Sequence, residues 1–147
     1  MRYFRCVVGS LAYLMIACSP ERVIAPRLVT IDGIPYRVQA SLNRDFMPPT
    51  PPDGPPLSLG IRVFTADGSV IPATVTVDSA WVFNGSAVWR TALVENQPRN
   101  GSSFDVGALG GPKWGTGIEV DVVVQLRDAA GRALLLQAPR ALIGRTD

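Results

Sequence analysis

Ala73-Thr74-Val75-Thr76-Val77-Asp78-Ser79-Ala80-Trp81-Val82-Phe83-Asn84-Gly85-Ser86-Ala87-Val88-Trp89-Arg90-Thr91-Ala92-Leu93-Val94 is the stretch whose reading decides the fold. Ala73, Val75, Val77, Trp81 and Phe83 fall on alternate positions, interrupted only by Ser79, while Thr74, Thr76 and Asp78 fall between them. Period two is the signature of a strand with one buried face. Trp81 is therefore expected in the core. Asn84-Gly85 suits a two-residue hairpin turn, which places Phe83 opposite Ser86, Val82 opposite Ala87, Trp81 opposite Val88 and Ala80 opposite Trp89. That register sends Val88, Ala92 and Val94 inward with Trp81. Trp89 goes to the other face with Ala80, Val82, Thr91 and Leu93. There it is either covered, by the N-terminal hairpin or by the long loop carrying Trp114, or presented as an aromatic contact.

Further strands are expected on both sides of this hairpin. Leu28–Ile31 and Ile34–Leu42 flank Asp32-Gly33, a pair suited to a type I′ turn, and Pro35, which has no donor, implies an edge position. Downstream, Leu57–Phe64, Ile118–Leu126 and Ala133–Gln137 read as strands. Glu95 to Gly117 reads as a Gly-, Ser- and Asn-rich loop with one short strand near Ser103–Ala108. In the strand from Ile118, Val120, Val122, Val124 and Leu126 share one face with Ile118, and Glu119, Asp121, Val123 and Gln125 share the other, the pattern of a half-buried antiparallel strand. Residues 43–56 hold six prolines and read as polyproline II or coil joining two layers; Pro48 to Pro51 fits PxxP, but a stiff connection explains it as well. No segment shows a helical period, so the fold class is an all-β antiparallel sandwich.

The beginning of the chain carries a different message. Arg2 and Arg5 precede the mostly apolar run Cys6–Ala17, which at about 18 Å of helix is too short to span a bilayer core. Basic start, short apolar run and small Ala17 are the parts of an export signal. Met15-Ile16-Ala17-Cys18 resembles the lipobox of bacterial lipoproteins. The resemblance implies cleavage before Cys18, lipidation of its sulfur and amine, and a membrane anchor of two or more chains; Ser19 after the cysteine, in the family, favours the periplasmic face of the outer membrane where two membranes exist. The expected organisation is a signal peptide at 1–17, a tether at 18–26 and one domain at 27–147. Residues 57–137, with Trp81 on an early long strand and a Gly-rich approach to the Val-rich strand at Ile118, resemble bacterial immunoglobulin-like domains, without the paired cysteines of antibody domains.

Composition removes whole classes of chemistry. The sequence holds no histidine, and its two cysteines are Cys6 in the leader and Cys18 at the junction. Ser-His-Asp and Cys-His catalysis, His-ligated zinc and structural disulfides are excluded. Met47 is the one thioether after the leader, a poor basis for copper binding. Without Arg2 and Arg5 the 14 basic and 12 acidic residues balance, so no nucleic-acid footprint is expected.

Local motifs add little. Asn84-Gly85-Ser86 and Asn100-Gly101-Ser102 match glycosylation sequons but read better as turns. Gly107 to Lys113 lacks phosphate-loop spacing and precedes a strand. Glu119 and Asp121, two apart on one strand face, form a solvated pair rather than the cross-cleft pair of a glycosidase. The expected function is a lipid-anchored, non-catalytic protein of the bacterial cell envelope, with no cofactor. It would present a sheet face to another envelope protein, with Cys18 as lipid attachment and Trp89 and Trp114 as contacts. The alternatives are a module binding cell-wall glycan through those indoles and a hydrolase using only carboxylates.

Overall fold

In a computed structural model of the protein, residues 24–147 are described, and every regular element among them is a strand. The signal segment, Cys18 and most of the tether lie outside these residues. The elements are β1 (Val29–Ile31), β2 (Ile34–Asp45), β3 (Leu57–Thr65), β4 (Thr76–Asn84), β5 (Ala87–Ala92), β6 (Val94–Glu95), β7 (Ser103–Gly111), β8 (Glu119–Arg127), β9 (Ala133–Gln137) and β10 (Ala141–Thr146). One layer runs β5-β4-β8-β9 and the other β10-β2-β3-β7-β6, with β1 on β2. The all-β sandwich expected from alternation is the observed architecture.

Two corners turn this sandwich into a nearly closed barrel. At one, β10 pairs antiparallel with β8 through Ala141 and Leu142, then runs parallel to β2 from Ile143 to Thr146. This strand was not anticipated beyond a general run of β-structure, and its parallel pairing departs from the purely antiparallel expectation. At the other corner, the two ends of the strand order, β5 and β6, are consecutive in the chain and joined by buried Leu93. β5 pairs with β4 in one layer and β6 with β7 in the other. Edges that meet in this way leave few free backbone groups to recruit another sheet.

The core between the layers is aliphatic. Val82, Val120, Val122, Val124, Leu126 and Leu136 face Leu57, Leu59, Ile61, Val63, Val106 and Ile143, all at most 3% exposed. A fully buried side chain of this size contributes roughly 1.5–3 kcal/mol, so the core stabilises the fold among residues that contain no cysteine to form a disulfide.

Turn chemistry worked at one hairpin and shifted at the other. Asp32 and Gly33 both have positive φ (49° and 78°), and Ile31 pairs with Ile34, as a type I′ turn requires. At the second hairpin Asn84 pairs with Ala87, so the loop residues are Gly85 and Ser86 rather than Asn84 and Gly85. Positive φ is confined there to Gly85 (58°), the type II′ pattern. Pro35 lies at the start of an interior strand, not on an edge: it precedes the run that pairs with β3, and its carbonyl accepts from the Ala66 N–H at 2.9 Å.

Four other expectations are corrected. The strand expected from Ala73 begins at Thr76, and the short strand near Ser103 extends to Gly111 as the partner of both β3 and β6. Asn43 to Asp45, expected in the proline-rich connection, complete β2. β8 is central in its layer, between β4 on one side and β9 and β10 on the other, and Val120 to Val124 are buried on both faces, with Val123 fully enclosed and Asp121 9% exposed.

Candidate binding face

A single extra residue decides which side chains of β4 and β5 face outward. Val77 pairs with Leu126 of β8, but the next pair is Ser79 with Gln125, so Asp78 is a bulge with no counterpart. Its carbonyl accepts from the Leu93 N–H at 3.0 Å, and its carboxylate accepts from Gln125 Nε2 at 3.1 and 3.2 Å and from Arg127 Nε. Beyond the bulge the parity of the strand inverts. Val75 and Val77 point inward before it, Ala80 and Val82 after it. Trp81 and Phe83, expected in the core, sit half-buried on the outer face instead. The hairpin carries the inversion into β5, where Val88 is 46% exposed and Ala92 is also exposed, and on into β6, where Val94 is exposed. A buried Trp81 was one of the features that carried the immunoglobulin-like resemblance, and Trp81 is half-buried on the outer face instead.

This outer face has an aromatic centre and a polar rim. Phe83 stands between Val88 and Asp121, and Trp81 between Arg90 and Val123, in adjacent rows across β5, β4 and β8. The Arg90 guanidinium lies over the Trp81 ring, 5.4 Å from its centroid. Around them are the Asp78–Gln125–Arg127 cluster on one side and Arg140, 3.3 Å from Glu119 and 3.4 Å from Asp121, on the other.

The two indoles expected as contacts are placed differently. Trp89 pairs with Val82, points inward at the β5 corner and packs on the core, with its benzenoid side against Gly111 of β7. Trp114 also packs on the core, and its carbonyl accepts from Arg44 NH1 at 3.0 Å. The structure does not bring Trp89 and Trp114 together on one exposed surface. Arg44 is a residue that sequence reasoning missed. It is 7% exposed, donates to the carbonyls of Pro55 (2.9 Å), Lys113 (3.3 Å) and Trp114, and so ties the proline-rich connection to the loop before β8. Lys113 and Asp53 pair across the same two loops. Arginine at the end of an alternating strand inside a proline-rich segment was the available signal.

Most acidic side chains among the described residues are engaged by cations or main-chain donors. The hydrogen bond from Lys113 lowers the Asp53 carboxyl below its ordinary value, the Ser69 N–H lowers Asp67, and Arg145 lowers Asp147. Burial pulls Asp78 upward, but Arg127, Gln125 and Ser79 outweigh it and the net movement is downward. A general acid requires the opposite direction. Among the described residues no three metal-ligating side chains converge, and no helix is long and apolar enough to cross a membrane. Open grooves cross the surface of the described residues. One of about 400 Å³ lies over β2, β3 and β7 and includes Gln39, Ser41 and Gln97; one of about 560 Å³ follows the β5–β7 corner; one of about 260 Å³ follows the β2–β9 corner. Comparison with protein-family models, with curated proteins and with solved structures finds no match for the chain.

Proposed function

We propose that the protein is a non-catalytic component of a bacterial cell envelope, held to a membrane by lipid on Cys18, that recognises another envelope protein through Trp81, Phe83, Val88 and Arg90. The observation that carries this reading is the outward turn of Trp81 and Phe83 at the Asp78 bulge. A core strand would gain more by burying both rings, and a bulge that exposes them instead is a feature expected at a contact surface. Aromatic residues and arginine at the centre of a face, with ion pairs of both signs around it, is the composition of a protein interface. The downward-shifted carboxylates and the open form of the grooves support recognition over turnover.

The test has two arms. Cys18→Ser should move the protein from the detergent to the aqueous phase on phase partition; retention in detergent would contradict lipid attachment. Affinity purification from envelope extracts should recover one protein with the wild type and lose it with Trp81→Ala or Arg90→Glu, while Leu109→Ala, at an exposed site on the other layer, leaves recovery unchanged. Equal recovery with all three variants would remove this face from consideration.

A further inference from the structure

The corner where β9 gives way to β10 leaves a groove of about 260 Å³ bordered by β2, lined by Arg27, Arg37, Gln39, Phe64, Pro139 and Arg140. Three arginines line it. Arg140 is held by Glu119 and Asp121, whereas Arg27 and Arg37 make no ion pair with any described residue. Arg37 and Phe64 are direct partners in the β2–β3 ladder, so the unpaired cation and the half-buried ring stand side by side on one face. The ladder positions are spoken for by β-pairing, which leaves side chains as the binding groups.

We infer that this groove takes the phosphate of an anionic lipid headgroup, with Arg27 and Arg37 bonding the phosphate oxygens and Phe64 and Pro139 meeting the glycerol end of the chains. Each guanidinium, with no carboxylate partner among the described residues, carries a planar fork of donors that suits phosphate oxygens. Apolar surface immediately beside them distinguishes the site from one shaped for a soluble anion. Its position fits the route of the chain: the Pro26 carbonyl accepts from the Gln137 N–H of β9 at 2.8 Å, so the described chain begins at this corner. Arg27 follows Cys18 by nine residues, a reach of at most about 30 Å. A headgroup bound here adds a second, electrostatic hold to the acyl anchor and fixes which way the domain faces. The inference rests on the lipid-anchor reading for the choice of a lipid, but not on the Trp81 face.

Titration of the full-length protein in a neutral detergent with dihexanoyl phosphatidylglycerol, dihexanoyl phosphatidylcholine and inorganic phosphate tests it. The expected result is saturable binding of phosphatidylglycerol, weakened by added salt and reduced about twentyfold in the Arg27→Gln, Arg37→Gln variant. That variant should keep the wild-type unfolding midpoint, because both side chains are exposed. Equal binding of phosphatidylcholine, binding of inorganic phosphate without phosphatidylglycerol, or undiminished binding by the double variant would each overturn the assignment. Because the titration does not depend on Cys18 or Trp81, its failure is separable from failure of the function proposed above.

Discussion

Trp89 lies against the backbone of Gly111 so closely that a Cβ on the glycine would fall 2.7 Å from Cη2 and Cζ3 of the indole and 2.9 Å from Cε3. The contact spans the corner between β5, which pairs with β4, and β7, which pairs with β6. An aromatic side chain closes the barrel where backbone pairing stops.

Gly111→Ala should therefore destabilise the fold by about 1–3 kcal/mol, the cost of forcing a methyl group into a packed site. Trp89→Ala should cost about 2–4 kcal/mol by emptying it. Urea unfolding of both single variants and the double variant gives the coupling: the double variant is expected to lose less than the sum, because the alanine methyl no longer meets a ring.

Arg44→Lys should not preserve stability. One ammonium cannot reproduce the fork that reaches Pro55, Lys113 and Trp114, and carbonyls left without a donor keep their desolvation cost. A loss of about 2–4 kcal/mol is expected, with amide hydrogen exchange accelerated in residues 46–56 and 111–117. Exchange confined to one of the two segments would contradict the coupling of the loops through Arg44.

Tyr36 is fully buried, yet its hydroxyl has no hydrogen-bond partner, and burial raises its pKa. Removing a buried hydroxyl that bonds nothing removes a desolvation penalty. Tyr36→Phe should leave the urea midpoint unchanged or raise stability by about 1 kcal/mol. A clear loss would mean that the hydroxyl has a partner such as an enclosed water.

Asp78 sets the acid limit of the bulge. Its folded pKa lies below the reference 3.8, so the stability it contributes is present above that value and is lost as the pH falls through the lower folded value. Thermal midpoints should fall as the pH is taken from about 5 to about 3. Asp78→Asn should lower stability at neutral pH and flatten that dependence; an equally steep fall in the variant would assign the acid sensitivity to other carboxylates.

Much of the fold was legible one strand at a time. β2, β3, β8 and β9 were found within a few residues, because each is an alternating or short apolar run bounded by turn residues or prolines. The Asp32-Gly33 turn was legible for the same local reason. β10 escaped because Ala141–Thr146 has Gly144 and Arg145 in its second half and no alternation long enough to register. Arg44 escaped because its partners are carbonyls 11 to 70 positions away. The half-buried reading of β8 failed over Asp121 and Val123, whose enclosure comes from neighbours that no local pattern names.

Alternation and turn residues by themselves indicated that the chain is all-β and, to within a residue, where its two hairpins turn, and the absence of histidine with cysteine confined to its beginning indicated which chemistries it cannot perform. The outward position of Trp81 and the inward position of Trp89 were decided only by the tertiary structure. Period two says that a strand has two unlike faces, but a single extra residue exchanges them. Whether Asp78 is that residue depends on how β4 pairs with Leu126 and Gln125 of β8, almost fifty positions away. The closing of both corners is of the same kind: β10 changes partners from β8 to β2, and β5 and β6 divide between β4 and β7, through contacts between segments whose separation in the chain hides them from any local reading.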